Sequence, residues 1–190
     1  MKKIFIVLLS FFAFQVSAQD FAPVDKSVMD VAYYPGGAHR AGFAKTAEEK
    51  AVLMPRVRIT YSRPLVNERE IFGNLVKYNE PWRLGANEST EVIFYSPVKI
   101  GETVLAAGRY SLYCTPTQDS WTLKVHPNVD GWGSYGYDES KDLASVSAVP
   151  TKSEKNIEAL SITMYKADSG QVHIKVGWAN TIAEFPITVL

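Results

Sequence analysis

The sequence predicts an all-β protein, an antiparallel β-sandwich or a flattened barrel, that follows an irregular N-terminal arm. From Pro55 onward, apolar and polar residues alternate with a period of two, which is typical of strands buried on one face. Turns that contain glycine separate these segments. No helical crossover lies between them, and parallel strands need such crossovers.

Residues 1–18 have the features of a secretory signal peptide. Two lysines precede an apolar run over residues 4–14, and Val16-Ser17-Ala18 fits a cleavage site of small residues. The run is too short to span a membrane, and no cysteine for a lipid anchor stands at the cleavage site. We therefore expect cleavage after Ala18, no transmembrane segment in the mature chain, and a periplasmic or secreted location.

The composition argues against several classes of protein. The chain has 20 basic and 20 acidic residues, and cleavage removes two of the lysines. A nucleic-acid partner is not expected, because such binding needs a basic surface that displaces counterions. Cys114 is the only cysteine in the sequence, which excludes an intramolecular disulfide and a cysteine-type zinc site. Stability must therefore come from packing.

Residues 19–54 are predicted to form the irregular arm. Prolines and glycines interrupt this stretch, and neither the helical nor the strand period is sustained. One short helix is expected within it. Thr46 and Glu49 fit a capping box, in which the threonine oxygen accepts a backbone N–H of the first turn and the glutamate reaches back.

Residues 55–190 are predicted to form the sandwich, and each predicted strand has one apolar face. The inward sets are Val57, Ile59 and Tyr61; Tyr110, Leu112 and Cys114; Trp121, Leu123 and Val125; Leu160, Ile162 and Met164; Val172, Ile174, Val176 and Trp178; and Phe185, Ile187 and Val189. Lys124 and His126 fall on the polar face. Cys114 is expected to be a buried small hydrophobic residue rather than a nucleophile.

Three turns are predicted between these strands. Gly101-Glu102 fits a two-residue hairpin turn with glycine first. Ala107-Gly108 and Asp168-Ser169-Gly170 are expected to be further hairpin tips.

Two connections are richer in polar and aromatic side chains than simple turns require. The first runs from residue 61 to residue 90, and the second from residue 127 to residue 142. The second is long for a structureless hairpin loop, and loops of this length are usually functional or disordered. The two segments are therefore the expected location of a site.

The order of sequence blocks in the chain resembles a known family. The blocks are YSRP, REIFGNLVKYNEPWRLGANEST, AGRYSLYCTP and WGSYGYDESKD. In this order they resemble a family of secreted bacterial proteins catalogued only as a domain of unknown function. The resemblance covers roughly residues 24–190 and implies a β-rich secreted domain. It implies no activity, substrate or catalytic residue.

The most specific group of candidate ligand-binding residues in the first segment is Arg83, Asn87 and Glu88. A guanidinium, an amide and a carboxylate within six positions suit a polar ligand such as a sugar. Trp82 would supply a stacking face. Alternatively, Arg83 pairs with Glu88 or Glu80, and Asn87 stabilises a turn through its own backbone.

The second segment offers aromatic rings among glycines. Trp132, Tyr135 and Tyr137 could stack on sugar rings, while the neighbouring carboxylates of Asp130, Asp138 and Glu139 would bind hydroxyls or a hard cation. Alternatively, the three rings pack over the end of the sandwich and the acids are solvated.

No catalytic residue, metal site or cofactor is assigned from the sequence. Glu88 and Glu139 could serve as acid and base in glycoside hydrolysis, but their spacing does not demonstrate the pairing. The histidines, His39, His126 and His173, have no metal-binding spacing, so neither a metal nor a cofactor is expected.

The leading hypothesis is a non-catalytic binding module for a polar ligand such as a carbohydrate or cell-envelope polymer. The seven candidate ligand-binding residues are Trp82, Arg83, Asn87, Glu88, Trp132, Tyr135 and Tyr137. Two alternatives stay open, namely a glycan-acting hydrolase that uses Glu88 and a structural domain with a protein partner.

Overall fold

Two antiparallel β-sheets pack around a shared core and do not close into a barrel, which confirms the predicted all-β class and favours the sandwich. The computed structural model describes residues 21–190, so the predicted signal peptide lies outside the described residues. Ten strands lie within the described residues: β1 (Met29–Tyr34), β2 (Val57–Ser62), β3 (Thr90–Phe94), β4 (Val98–Ile100), β5 (Thr103–Leu105), β6 (Gly108–Pro116), β7 (Trp121–His126), β8 (Ala144–Ala148), β9 (Thr151–Lys166) and β10 (Val172–Val189).

One sheet has six strands in the order β1-β2-β3-β6-β7-β8, and the other has four in the order β5-β4-β10-β9. All the pairings are antiparallel. In the strands that the sequence predicts, alternation sends one set of side chains into the core. Ile59, Leu123 and Ile174, for example, have no exposed surface. The other face of the six-stranded sheet carries polar residues and supports the candidate site.

Three aromatic rings join the two sheets at the centre of the core. Trp121 comes from β7 in the large sheet and Trp178 from β10 in the small one. Trp82 lies between them, with ring centroids 6.1 Å from Trp121 and 6.0 Å from Trp178. Burial of rings this large is a major share of the hydrophobic stabilisation of such a domain.

The N-terminal arm is more ordered than the sequence predicts. Residues 29–34 form β1, an edge strand that pairs with β2 along its whole length. On its outer face Met29 and Val31 are partly exposed, and on its inner face only Ala32 is buried. The strand therefore lacks the clear alternation that would have identified it.

The predicted short helix is present as α1 (Ala47–Leu53). The Thr46 hydroxyl accepts from the Glu49 N–H at 3.1 Å, and the Glu49 carboxylate accepts from the Lys45 N–H at 2.8 Å. The Thr46 contact is that of a capping box. The Glu49 carboxylate also reaches back as expected, but it accepts from Lys45, one residue before the N-cap residue that it contacts in the usual motif. The helix buries none of its residues and lies outside the sandwich core.

Two of the three predicted turns are confirmed. Gly101-Glu102 joins β4 to β5 with a glycine φ of +56°, and residues 168–170 join β9 to β10. Ala107-Gly108 is not a hairpin tip, because β5 belongs to the small sheet and β6 to the large one. The chain crosses between the sheets here, and a local glycine signal cannot distinguish a crossing from a hairpin.

None of the helices within residues 21–190 is both long enough and apolar enough to cross a membrane.

Candidate functional site

The two polar segments singled out in the sequence meet in the structure. A short antiparallel bridge pairs Glu88 with Trp132. The Gly133 N–H donates to the Asn87 carbonyl at 2.8 Å, and the Ser89 N–H donates to the Gly131 carbonyl at 2.9 Å. Glu88 and Trp132 are therefore a non-hydrogen-bonded pair, the kind whose side chains lie closest together on one face.

Residues 82–90 of the first segment are anchored to the large sheet at two points. Trp82 and Cys114 of β6 exchange two backbone hydrogen bonds of 2.8 Å. The hydroxyl of Thr90, the first residue of β3, donates to the Leu84 carbonyl at 2.9 Å. Leu84 and Asn87 have φ values of +55° and +57°, which turn the chain tightly between these anchors. The position of Asn87 agrees with the role in a turn that the sequence also suggested.

Trp82 does not offer a stacking face to a ligand. It is 8% exposed, and its ring stacks on Trp178 with an interplanar angle of 17°. Its indole N–H donates to the Gly85 carbonyl at 3.2 Å. Because the pairing with Cys114 draws it into the core, Trp82 has a packing role, and we leave it out of the candidate surface.

The three rings of the second segment have different environments. Trp132 is 58% exposed and Tyr135 is 83% exposed, so both present their rings to solvent. Tyr137 packs on Tyr113 with ring centroids 4.6 Å apart and donates its hydroxyl to Asp142 at 2.6 Å. The stacking interpretation thus suits Trp132 and Tyr135, and the packing interpretation suits Tyr137.

Arg83 lies beside the aromatic segment without an acidic partner. Within residues 21–190 it forms no ion pair with Glu88 or Glu80, and its Nε is buried without a hydrogen-bond partner. A Cβ placed on Gly133 would lie 3.2 Å from the Arg83 Nη1 and 3.1 Å from the Tyr135 ring. The guanidinium and the phenol ring therefore flank Gly133.

A cleft of about 300 Å³ opens beside the Glu88–Trp132 bridge, on the outer face of the large sheet. Its floor includes Thr60 and Ser62 of β2. Its walls include the side chains of Met29, Glu88, Glu91, Arg109 and Asp130. The volume is at the lower end of the range for small-molecule sites.

An ion-pair chain crosses one wall of the cleft. The Arg109 guanidinium donates to Glu91 and to both carboxylate oxygens of Asp130, with Nη1 at 3.1 Å from Oδ2. This contact lowers the pKa of Asp130, and the two carboxylates together raise the pKa of Arg109. Arg58 also reaches Glu91, at 3.9 Å. Three of the five N–H donors of Arg109 are thus engaged within the protein.

A buried polar cluster under the second segment was not foreseen as a cluster. Lys124 and His126 lie on the predicted polar face of β7, but they are only 7% and 1% exposed because the segment folds over them. The Lys124 amine pairs with Glu139 and lies 3.8 Å from Asp142. His126 Nδ1 accepts from the Asn128 N–H at 3.2 Å. The length of the loop was the only sequence signal for this cover.

The cluster also affects the hydrolase hypothesis. Glu139, the second carboxylate that this hypothesis needs, is paired with the buried Lys124 amine. Glu88 has no ion-pair partner within the described residues. The two acids therefore differ in environment, and only Glu88 has a carboxylate available at the cleft.

Two further groups bear on the chemistry of the site. Cys114 is fully buried, and the loss of solvation raises the pKa of its thiol, which suits the predicted packing role. Across residues 21–190, no group of three or more histidine, cysteine, aspartate or glutamate side chains is arranged to hold a metal ion.

Comparison with known proteins gives one match. Residues 44–187 match a family model described as "Protein of unknown function (DUF2911)". The match confirms the kind of family that the sequence blocks resemble. No curated protein and no solved structure matches the chain.

Proposed function

The chain belongs to this family of proteins of unknown function (DUF2911), and we propose that it is a non-catalytic module that binds a carbohydrate or another hydroxyl-rich polymer of the cell envelope. The proposed surface consists of Arg83, Asn87, Glu88, Trp132 and Tyr135, together with the adjoining cleft. We call it the bridge surface.

The observation that carries this proposal is the pairing of an exposed indole with an available carboxylate. Trp132 is 58% exposed, and Glu88 lies directly opposite it on the bridge. Sugar rings present an apolar face that stacks on aromatic side chains and hydroxyls that hydrogen-bond to carboxylates. An indole and a carboxylate on one face therefore provide both parts of a sugar contact.

The neighbouring groups extend the same chemistry. Tyr135 offers a second exposed ring, and the Arg83 guanidinium beside it has donors that no acidic side chain of the described residues occupies. The surface is built on a backbone fixed by four hydrogen bonds to the large sheet and the second segment. A fixed surface loses little conformational entropy when it binds.

The proposed location supports a ligand of the envelope. The lysines, apolar run and small residues of positions 1–18 are typical of an export signal. We accordingly propose that the protein acts in the periplasm or outside the cell. Polymers of the envelope are the hydroxyl-rich ligands available there.

The test is a glycan and envelope-fragment array probed with the purified protein and with Trp132→Ala. We expect selective binding that weakens about fivefold or more in Trp132→Ala, since one stacking contact contributes on the order of 1 kcal/mol or more. Tyr95→Ala is the matched control, because Tyr95 is 45% exposed and does not belong to the bridge surface. It should bind like the wild type.

Other outcomes would favour the alternatives. Turnover of a bound glycan that is lost in Glu88→Gln while binding persists would make the protein a hydrolase. A folded protein that binds no array ligand would contradict the proposed function and favour a protein partner.

A further inference from the structure

We propose that the cleft beside the Glu88–Trp132 bridge accepts a sugar ring that carries a primary amine, and that the ammonium group pairs with Glu88. This inference rests on the proposed function, and it names the chemical class of the ligand.

The floor of the cleft is a prepared polar surface. Ser62 is only 3% exposed and belongs to β2, where the register places it opposite Met29 on the outer face of the sheet. Both residues line the cleft. The Ser62 hydroxyl makes no hydrogen bond within residues 21–190. A hydroxyl at a cavity that has no protein partner can hydrogen-bond to a ligand hydroxyl in the cavity.

Thr60 adds a second hydroxyl two residues earlier on the same face of β2, and it also lines the cleft. Two hydroxyls about 7 Å apart along a strand suit the spacing of polar groups around a ligand ring. Because both residues are paired with β1 in the sheet, their backbone positions are fixed before the ligand arrives.

The charge of the wall selects for a cation. The charge of Arg109 is balanced by Glu91 and Asp130, which together occupy three of its five N–H donors. Glu88, another acidic residue of the cleft, forms no ion pair with a basic side chain of the described residues. An ammonium group placed there would form a charge-assisted hydrogen bond, which is about twice as strong as a neutral one. An acetylated amine lacks that charge.

The size of the cleft limits what enters it. A volume of about 300 Å³ is at the lower end for ligand sites and suits a single ring rather than a whole oligomer. The exposed Trp132 ring next to Glu88 then provides a place for the following unit of the polymer.

The experiment compares two oligosaccharides of equal length, one of glucosamine and one of N-acetylglucosamine. Binding is measured by calorimetry at pH 6 and low ionic strength, where the amine is protonated and screening is weak. We expect the glucosamine oligomer to bind at least about tenfold more tightly, because a hydrogen bond to a charged group contributes roughly 1.5–3 kcal/mol. Glu88→Gln should bind the two oligomers equally.

Glu80→Gln is the matched control, since Glu80 is exposed and does not line the cleft. It should keep the full preference. Ser62→Ala should weaken the binding of both oligomers by a similar factor and leave their ratio unchanged. Unchanged affinity in Ser62→Ala would contradict the assigned floor.

The remaining outcomes separate this inference from the function on which it rests. Equal affinity of the wild type for both oligomers would overturn the amine assignment and leave the glycan-binding function standing. A preference for glucosamine that survives in Glu88→Gln would also overturn it. If neither oligomer nor any array glycan binds to the folded protein, both proposals fail.

Discussion

At the scale of single residues, Tyr137 and Tyr135 show how two tyrosines in one loop acquire different roles. Tyr135 is 83% exposed, whereas Tyr137 lies over Tyr113 and His126 and donates its hydroxyl to Asp142 at 2.6 Å. Loss of solvation raises the pKa of Tyr137 above its ordinary value of 10.0, and the Asp142 carboxylate raises it further. The neutral phenol is thus part of the folded structure.

This shift predicts how stability depends on pH. The unfolded chain releases the Tyr137 proton near pH 10, whereas the folded chain holds it to higher pH. The stabilisation is therefore complete below pH 10 and declines as the pH rises above it. At pH 7, Tyr137→Phe should lower the free energy of unfolding by about 1 kcal/mol, because the hydrogen bond to Asp142 is lost. Between pH 10 and pH 11, the free energy of unfolding of this variant should decline less steeply than that of the wild type. Urea unfolding at pH 7, 10 and 11 measures both effects, and parallel declines for the two proteins would contradict the argument.

Two tryptophans mark the limit of residue-level prediction from this sequence. Trp82 and Trp132 both stand next to polar residues and glycines, and the sequence predicts that both belong to the ligand surface. The structure exposes Trp132 and buries Trp82, because Trp82 pairs with Cys114, which is 32 positions away along the chain. Local composition carries no information about that pairing. The strand alternation around Cys114, by contrast, predicted its burial correctly, since it depends only on neighbours in the sequence.

At the scale of elements, Gly133 fixes the relation between the two halves of the bridge surface. Its φ of +66° lies in the left-handed region, and its missing side chain leaves room for Arg83 and Tyr135. Gly136, in the same loop, has a φ of +74° and nothing within 4 Å of a Cβ. The two glycines thus share a backbone requirement and differ in crowding.

This difference predicts distinct effects of the same substitution. Gly133→Ala and Gly136→Ala should each destabilise the fold by about 1–2 kcal/mol through the left-handed backbone. Only Gly133→Ala should also displace the Arg83 and Tyr135 side chains. Under conditions where both variants are fully folded, only Gly133→Ala should therefore weaken glycan binding. Thermal unfolding and array binding of both variants distinguish the effects, and equal loss of binding in the two would show that crowding is irrelevant.

Elements with a strong local pattern were predictable, and those defined by their neighbours were not. The capping box at Thr46 and the turn at Gly101 are encoded within four residues and are confirmed. Strand β1 becomes a strand through pairing with β2, and its own sequence shows weak alternation. The cover over Lys124 likewise depends on where the long loop folds back. Strand periodicity and turn residues therefore predict the sheets, whereas the candidate site depends on tertiary pairing that the local sequence does not encode.

At the scale of the whole molecule, the two sheets depend on each other for burial. The core is one continuous cluster that draws residues from both sheets. Its centre is the contact of Trp121 from the large sheet, Trp178 from the small sheet and Trp82 between them. Neither sheet could bury its apolar face alone, so we expect them to fold as one cooperative unit.

Tryptophan fluorescence tests this expectation directly. Because three of the four tryptophans meet where the sheets join, their fluorescence reports sheet-to-sheet packing, whereas far-ultraviolet circular dichroism reports the strands themselves. The two signals should give one coincident urea transition.

Trp82→Phe should lower the free energy of unfolding by about 1–3 kcal/mol and keep the transitions coincident, since both sheets lose the same contact. Trp132→Ala should change it by no more than about 0.5 kcal/mol, because its ring lies on the surface. A fluorescence transition that precedes the loss of circular dichroism would mean that the sheets separate before they unfold, and that the aromatic centre does not couple them.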